Sequence, residues 1–535
     1  MKAARRVALM GLMSLAGGLL LAVPRPLPAS SEAVAATSSE GLETNLCTEG
    51  LVMGDPRVGP SWNGWGNGPT NTRFQPKSQG KLTADDLHRL QLKWAFGYAN
   101  GSSARPQPTI AGGRLFAASD NGHVYALNPR TGCRYWTYKA RAGIPTAAIV
   151  GRYRTADGGD GVAVFFGDRK ANAYAVDAQT GRQIWVRKVD SHPAAAITGS
   201  LAFDGVRVFV PIQGLNEEDN SGLTSLPCCT FRGSLSALDA STGTVIWKTY
   251  TVAESMPRPS NRDGTLSYGP AGGGIWSIPT IDSKRRLVYV STGNGYAEPA
   301  QPSTDAVLAM DINTGELKWS RQVPPGDAPN VPPELGPDFD LSAPPVLTTL
   351  QGRSLLLVLQ KSGIARALDP AQDGAIVWQY RFGQGSSSGG QWGMAVEGET
   401  AYVGVADLLT PAPGGMRALA LADGHLIWDK PPPPRLCVVR QGCNAGQGGP
   451  VTAIPGAVLS GGMDGGLRAY SAKDGAILWS FDTNREFDTV NGLKVSGGSM
   501  DSDGPVVVDG MVYVSSGSGG LPGRPGNVLL AFGLP

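Results

Sequence analysis

The fold is decided by a hairpin pattern whose clearest copy is LSALDASTGTVIW at residues 235–247. An alternating apolar strand ends in Asp239, a turn containing Gly243 follows, and a second apolar strand ends in Trp247. Alternation with a period of two indicates strands, and an Asp-to-Gly turn is typical of hairpins because these residues tolerate positive φ. The pattern therefore predicts two antiparallel strands joined by a tight turn.

The same pattern recurs roughly every fifty residues, which is the spacing of a repeat architecture. Seven complete copies are present, and they end at Trp136, Trp185, Trp247, Trp319, Trp378, Trp428 and Trp479. Two further short apolar segments lie between copies, such as RLVYVSTGN at 286–294. Four strands per unit are typical of a β-propeller blade, and we expect the repeated Trp side chains to pack between neighbouring blades.

The two ends of the repeat region complete each other. LQLKWAF at 90–96 has the Trp strand without its partner, and GNVLLAFGLP at 526–535 has the partner without the Trp. We therefore predict an all-β protein, an eight-bladed propeller whose ring is closed by N- and C-terminal strands, with an open solenoid or helical repeat as the alternative. The 74 Gly, 41 Pro and 17% charged residues suit such a turn-rich chain.

The N-terminus has the features of an export signal. Lys2, Arg5 and Arg6 precede an apolar run at 7–23 and a small-residue site at Ala33-Val34-Ala35. We predict a signal peptide at 1–35, an N-terminal extension at 36–80 and the propeller at 81–535, in a periplasmic or secreted protein without stable membrane insertion. The alternative for the apolar run is a membrane anchor.

Charge and histidine content exclude two classes of site. The formal net charge is +2, without long runs of one sign, so we expect no nucleic-acid partner. The four His residues share no spacing typical of zinc ligands.

Six cysteines, an even number, suit an oxidising compartment. Cys437 and Cys443 are close in sequence, and we expect them to pair. The adjacent Cys228 and Cys229 leave three possibilities open: a disulfide between neighbours, two free thiols, or separate bonds to Cys47 and Cys133.

The longest insertions between repeats fall between Trp185 and Trp319, and loops on one face of a propeller carry its function. Acidic and amide side chains lie in or near these insertions, at Glu217, Glu218, Asn294, Asp338 and Asp340. Carboxylate and amide oxygens are ligands that calcium prefers. The alternative for each residue is a solvated loop or a turn cap.

Longer motifs resemble a known family. WNGWGNGPTNTRFQ at 62–75, CCTFRG at 228–233, WSIPTID at 276–282 and VNGLKVSGGSMDSDGPVVVDGMVYV at 490–514 are similar to segments of the pyrroloquinoline quinone (PQQ)-dependent alcohol dehydrogenases, in particular the polyvinyl alcohol dehydrogenase branch. The resemblance covers most of the chain. It implies an enzyme that oxidises secondary alcohol groups of a polymer with PQQ and Ca²⁺.

The resemblance also assigns site residues. It implies a catalytic base at Asp340, calcium ligands at Glu217, Asn294 and Asp340, and an indole that stacks on the quinone at Trp276. Further cofactor contacts are implied at Lys361, near the quinone oxygens, at Thr198 and at the cysteine pair Cys228 and Cys229. In the alcohol dehydrogenases the paired cysteines lie in an earlier blade, whereas here they follow the candidate calcium loop. The register between Glu217 and Glu218 stays open.

The chemistry asks for these residue types. A carboxylate takes the alcohol proton, and we expect Asp340 to stay ionised beside a cation. The sequence has no C-x-x-C-H haem motif, so the resemblance implies a separate cytochrome c or quinone as the electron acceptor. Two alternatives remain: a non-catalytic propeller scaffold similar to the outer-membrane protein assembly lipoprotein, and a quinoprotein sugar or small-alcohol dehydrogenase.

Overall fold

A computed structural model describes residues 45–48, 50, 52–215, 217, 227–260, 264–323, 338–385, 392–437, 443–519 and 523–535. The predicted signal peptide and Glu218 lie outside the described residues. A four-residue helix, Lys77–Gly80 (α1), and a 3-10 helix, Ala84–Arg89, precede the first strand, Gln91–Gly97 (β1). None of the helices in these ranges has the length and hydropathy of a membrane span.

Eight antiparallel sheets follow around the ring, as the repeat predicts. The first three blades consist of Thr109–Ala111 (β2), Arg114–Ala118 (β3), His123–Leu127 (β4) and Arg134–Lys139 (β5); Ile149–Arg154 (β6), Asp160–Gly167 (β7), Asn172–Asp177 (β8) and Gln183–Lys188 (β9); and Ala195–Ala196 (β10), Ala202–Phe203 (β11), Arg207–Gly214 (β12), Ser234–Asp239 (β13) and Val245–Tyr250 (β14). In the third blade, β10 and β11 both pair with β12.

Two short ribbons are formed by segments that precede or interrupt the fourth blade. They pair Met256–Arg258 (β15) with Ser267–Gly269 (β16), and Ala271–Gly272 (β17) with Gly295–Ala297 (β20). The fourth and fifth blades consist of Thr280–Asp282 (β18), Leu287–Ser291 (β19), Ala306–Asp311 (β21) and Leu317–Gln322 (β22); and Val346–Leu350 (β23), Arg353–Gln360 (β24), Ile364–Asp369 (β25) and Ala375–Arg381 (β26).

The last three blades return the chain to its start. They consist of Ala395–Glu397 (β27), Thr400–Gly404 (β28), Met416–Ala420 (β29) and Leu426–Lys430 (β30); Thr452–Ile454 (β31), Ala457–Gly461 (β32), Gly466–Ser471 (β33) and Ile477–Asp482 (β34); and, after a ribbon of Glu486–Asp488 (β35) and Lys494–Ser496 (β36), Val506–Val508 (β37), Met511–Ser516 (β38) and Val528–Gly533 (β39).

The eighth blade confirms the predicted closure. Its fourth strand is β1, which pairs antiparallel with β39 from Gln91 opposite Gly533 to Gly97 opposite Val528. The first and last strands of the propeller are therefore hydrogen-bonded neighbours, and the ring leaves no unpaired edge between them.

Each repeat Trp faces an Ala and docks on the next blade. Ala237 pairs with Trp247, for example, and Ala531 pairs with Trp94 in the closing blade. The small side chain leaves room for the indole. Six of these indoles donate a hydrogen bond to a turn carbonyl of the following blade, from Trp94, Trp136, Trp185, Trp247, Trp378 and Trp428, at 2.8–3.3 Å. The expectation that these Trp residues pack between blades is confirmed.

The turn glycines of the repeat make this docking possible. Gly243 has a φ of +68°, and a Cβ atom there would lie 2.6 Å from the ring of Trp185 in the preceding blade. A side chain at this position meets both an unfavourable backbone conformation and an occupied space.

The 62–75 segment runs across one end of the ring rather than forming a blade. Its backbone exchanges hydrogen bonds with the first strands of several blades, through Trp62 to Ile110, Thr72 to Val396 and Arg73 to Ala453. Arg73 is fully buried and donates to the Val451 carbonyl, to Gln107 and to Thr452. This segment ties the blades together at their inner strands.

All six cysteines are paired. The bonds are Cys47–Cys133, Cys437–Cys443 and Cys228–Cys229. The expected pairing of Cys437 with Cys443 is confirmed, and of the three possibilities for Cys228 and Cys229 the structure adopts the bond between neighbours.

Candidate functional site

A cavity of about 190 Å³ lies where the ends of the inner strands converge. Its walls include residues that precede the first strands of six blades, and Thr198, which lies between β10 and β11 of the third blade. The six are Gln107, Ala147, Trp276, Ser342, Trp392 and Ser502. Inner strands of a propeller surround its central channel, so residues far apart in sequence meet there.

Three of the sequence-predicted residues form one cluster beside this cavity. The Lys361 Nζ atom lies 4.4 Å from the centroid of the Trp276 ring, and it forms an ion pair with Asp340. Lys361 directly follows β24, and its backbone N–H donates to the Asp340 carbonyl at 3.0 Å. The side chains of Lys361 and Asp340 are 9% and 0% exposed, so water screens their attraction little.

Asn294 and Gly293 join the same cluster. The backbone N–H of Asn294 donates to Asp340 Oδ1 at 2.8 Å. A Cβ atom at Gly293 would lie 2.9 Å from Asp340 Oδ1 and 3.2 Å from Trp276 Nε1. The carboxylate and the indole edge therefore approach the backbone at a place that only glycine allows.

A second carboxylate shares the lysine. Asp338 Oδ2 lies 3.0 Å from Lys361 Nζ, and Asp338 Oδ1 accepts the backbone N–H of Asp340 at 3.0 Å. Asp338 is 23% exposed, in contrast to the buried Asp340. One cation thus serves two acids, and the cluster carries a formal charge of −1.

Several buried polar atoms around the cavity have no hydrogen-bond partner among the described residues. They are Thr198 Oγ1, Gln213 Oε1, Trp276 Nε1 and Ser277 Oγ, all on residues that line the cavity. Buried polar groups in folded proteins are nearly always paired, so these atoms are available to a bound molecule.

Two arginines line another part of the cavity. Burial lowers the pKa of the Arg169 guanidinium, the neighbouring positive charge of Arg105 lowers it further, and Asp120 opposes both effects. Two cations in mutual repulsion favour an anionic ligand, which relieves it. Neither arginine belongs to a motif quoted from the sequence, and their proximity is seen only in the structure.

Glu217, Cys228 and Cys229 form a separate cluster. The Glu217 carboxylate accepts the backbone N–H groups of Thr230, at 2.8 Å, and Phe231, at 2.5 Å. The cysteine pair lies along β16, where the N–H of Tyr268 donates to the Cys228 carbonyl. Neither cysteine is among the described residues that line the cavity. The Sγ atoms of both cysteines lie 4.0 Å from the Glu217 carbonyl oxygen, so the pair contacts Glu217.

The structure brings together the predicted Trp276, Asn294, Asp340 and Lys361, and it places Thr198 on the same cavity as Trp276. Sequence reasoning missed Arg105, Arg169, Gln213 and Trp392, which line the same cavity. In the described part of the chain, no three His, Cys, Asp or Glu side chains form a group suited to hold a metal.

Known proteins are similar to this chain over most of its length. The PQQ family described as "Glucose/ethanol/alcohol dehydrogenase, beta-propeller domain" matches residues 62–381. A polyvinylalcohol dehydrogenase of a Pseudomonas species is 44% identical over 93% of this chain and 81% of its own length. The chain belongs to the PQQ-dependent alcohol dehydrogenase family. A polyvinylalcohol dehydrogenase of Sphingopyxis sp. strain 113P3, a member of the same family, is 37% identical over 92% of this chain and 79% of its own length.

Solved structures support the fold. A europium-containing methanol dehydrogenase superposes with a TM-score of 0.68 at 17% identity, covering 89% of this chain and 98% of its own. The quinohemoprotein alcohol dehydrogenase of Comamonas testosteroni gives a TM-score of 0.64 at 19% identity, covering 89% of this chain and 80% of its own. The family of the outer membrane protein assembly factor BamB also matches residues 412–524, where the shared blade repeat lies.

Proposed function

We propose that this alcohol dehydrogenase uses PQQ and Ca²⁺ to oxidise secondary alcohol groups of polyvinyl alcohol or a similar polymer. It passes electrons to a separate cytochrome c or quinone, in the periplasm or outside the cell. The observation that carries the proposal is the cluster of Trp276, Lys361 and Asp340 beside a cavity with unpaired polar atoms. The three disulfides suit an oxidising compartment.

The residues present fit PQQ. An aromatic tricarboxylate needs a flat apolar surface, cations and hydrogen-bonding groups. Trp276 supplies the surface, Arg105 and Arg169 supply positive charge, and the unpaired Thr198 Oγ1 and Gln213 Oε1 supply polar contacts. When bound, PQQ supplies the electrophilic carbonyl carbon that accepts hydride from the alcohol.

The residues fit calcium in part. Asp340 and Asn294 are adjacent and carry carboxylate and amide oxygens, the donors that Ca²⁺ prefers. Glu217 is engaged by Thr230 and Phe231, and in this arrangement its carboxylate is already satisfied. We propose Asp340 and Asn294 as ligands, with Glu217 joining them only if it gives up those bonds.

Asp340 is the proposed catalytic base, which accepts the hydroxyl proton of the substrate alcohol. The Lys361 ammonium favours the ionised carboxylate, and the Asn294 N–H fixes the direction of Oδ1. Burial keeps bulk water away from the cluster, which strengthens the attraction between Lys361 and the ionised carboxylate.

The polymer substrate rests on similarity to relatives. Two proteins named polyvinylalcohol dehydrogenase match over nearly the whole chain, at 44% and 37% identity. The extent of these two matches supports the same substrate class for this chain.

The test combines the purified protein with PQQ, with and without Ca²⁺, and follows dye reduction by small secondary alcohols and by polyvinyl alcohol. We expect activity that requires both additions, is lost on chelation and returns with calcium, and is absent in Asp340→Ala. The matched control is Asp488→Ala, an exposed carboxylate on β35. A folded protein that binds no PQQ contradicts the proposal and favours a scaffold, whereas preference for small alcohols or sugars contradicts only the polymer.

A further inference from the structure

Two sequence motifs far apart in the chain meet at the cavity. The 62–75 segment contributes Trp65 to the cavity wall, and the 499–505 segment, SMDSDGP, contributes Ser502. The second segment carries two acids, Asp501 and Asp503, for which the proposed reaction gives no role. Asp503 is 1% exposed and the side chain of Asp501 is 13% exposed, and burial of a carboxylate is costly unless its contacts offset it.

Asp501 contacts two residues of the cavity wall. Its Oδ1 atom accepts the indole N–H of Trp392 at 3.1 Å. Its Oδ2 atom lies 3.5 Å from Nη2 of Arg105. Asp501 itself is 13% exposed and is not among the lining residues, so it acts on the cavity through these two neighbours.

Arg105 is held from a second side by the same segment. Its Nε atom donates to Ser502 Oγ at 3.2 Å. The 499–505 segment thus holds the guanidinium at two points, Asp501 and Ser502. They lie 396 and 397 residues after Arg105 in the sequence. A guanidinium held in this way loses less side-chain entropy when it binds an anion.

The charges of Arg105 and Arg169 and of the nearby carboxylates bear on ligand binding. Arg105 and Arg169 lie close enough for the charge of Arg105 to lower the pKa of Arg169. A carboxylate acts on each arginine: Asp501 lies 3.5 Å from Arg105, and Asp120 raises the pKa of Arg169, so the repulsion between the two cations is partly offset. Both arginines still line the cavity, where their N–H groups can donate to an anion, and they are held in place before the anion binds.

From these contacts we propose that Asp501 is a positioning residue for cofactor binding: it orients Arg105 toward a carboxylate of the bound quinone and fixes the Trp392 indole in the cavity wall. This inference rests on the proposed function, because it takes PQQ as the anion. It assigns Asp501 no contact with the substrate and no proton transfer.

The test is a double-mutant cycle on PQQ affinity. The variants are Asp501→Asn, Arg105→Met and the double variant, and the dissociation constant is measured by quenching of intrinsic fluorescence as PQQ is added to the apo protein. Asn keeps an oxygen for Trp392 but removes the charge from Arg105. We expect Asp501→Asn to raise the dissociation constant about 10-fold, in the range seen for groups that orient a ligating residue.

Coupling separates positioning from a general loss of stability. If Asp501 acts through Arg105, the double variant binds PQQ no worse than Arg105→Met alone. At saturating PQQ, kcat of Asp501→Asn should stay within about 3-fold of the parent, because the catalytic cluster is untouched. Asp488→Asn on β35 is the matched control, and near-ultraviolet circular dichroism checks that each variant is folded.

A second arm tests the Trp392 contact. Trp392→Phe removes the indole N–H and keeps an aromatic ring, and Asp501→Ala removes the acceptor. We expect Asp501→Ala to weaken PQQ binding more than Asp501→Asn, and we expect this difference to vanish in a Trp392→Phe background.

Several results overturn the inference. Strictly additive effects of Asp501→Asn and Arg105→Met, an unchanged dissociation constant, or tighter binding in Asp501→Asn would each contradict it, the last because it means that Asp501 repels the cofactor. Failure of the unaltered protein to bind PQQ contradicts the proposed function itself, and the two failures are therefore distinguishable.

Discussion

Two carboxylates lie behind the cavity wall, each beside a cation, and they are held very differently. Asp340 is fully buried, accepts the Asn294 N–H and forms an ion pair with Lys361. Asp501 accepts one indole N–H and stands 3.5 Å from Arg105. Burial raises the pKa of Asp501, against the opposing effects of Arg105 and Trp392.

The difference separates two tasks. A base that must be ionised needs a close cation and a fixed orientation, which Asp340 has. A residue that only orients its neighbours needs contact with them and no reactive charge. We therefore expect substitutions at Asp340 to change the rate of the chemical step and substitutions at Asp501 to change cofactor affinity.

The largest effect is expected for Asp340→Asn. The amide has a similar shape but accepts no proton, and general base catalysis is worth about 10²–10⁴-fold. We expect kcat to fall about 10³-fold when PQQ and Ca²⁺ are both saturating, measured by dye reduction, with cofactor titration to establish saturation.

A lesser effect would break the comparison. If Asp340→Asn lowered kcat less than 10-fold, the neighbouring Asp338, which shares Lys361, would be the better candidate for the base. Asp338→Asn in parallel decides between the two acids.

The next largest effect is expected for Gly293→Ala. The added methyl group would lie 2.9 Å from Asp340 Oδ1, so the carboxylate must shift. A displacement of this kind at a reacting group can cost about 10²-fold in rate. We expect kcat to fall by that factor while the melting temperature changes little. Gly50→Ala, with no atom within 4 Å of the new Cβ, is the control and should behave as the parent.

The blades were predictable because their information is local. The Asp239 and Gly243 turn, the alternating strands and Trp247 all fall within thirteen residues. Ring closure was predictable because β1 and β39 each carry one half of the same hairpin. The path of residues 62–75 across the blades was not, since it has no periodicity and its partners lie in many different strands.

The site residues also separate into those that the sequence predicted and those that it did not. Asp340, Asn294, Trp276 and Lys361 occur in short motifs that resemble a family, and the structure brings them together. Asp501 also lies in a quoted motif, at 490–514, but its partners Arg105 and Trp392 are 396 and 109 residues away and lie outside the quoted motifs, so their contact became visible only in the folded chain.

A smaller effect, on stability alone, is expected for Gly243→Ala. Its Cβ would lie 2.6 Å from the ring of Trp185 at a φ of +68°. Strain at such a position costs on the order of 1–3 kcal/mol, and displacement of the indole adds to it. Gly205→Ala has a φ of +105° with open space around the Cβ and isolates the backbone cost. We expect a lower melting temperature for Gly243→Ala than for Gly205→Ala, and unchanged kcat in both. A loss of activity in the folded Gly243→Ala would contradict the separation of scaffold from site.

The smallest effect is expected for Asp503, which lies two residues after Asp501 and is buried. Both of its carboxyl oxygens are buried. Burial raises its pKa well above the usual value and Asp501 raises it further, whereas the backbone N–H groups of Asp503 and Ser515 and the charge of Arg73 lower it. Burial lowers the pKa of Arg73 itself to about 9.

The sign of the pH dependence follows from proton binding. Above the pKa of an unfolded Asp, about 3.9, the native state holds a proton that the unfolded chain has lost. Stability therefore falls as pH rises, until the native carboxyl also ionises, by up to about 1.4 kcal/mol per pH unit. Asp503→Asn removes this dependence, so its melting temperature should exceed that of the parent by a margin that grows between pH 4.5 and pH 7. If Asp503→Asn is instead destabilised at every pH, Arg73 holds the carboxylate ionised, because loss of one partner of a buried pair leaves the other charge uncompensated. In that case Asp503 is an ionised carboxylate paired with a buried cation, as Asp340 is. The contrast with Asp340 then applies to Asp501 and not to Asp503.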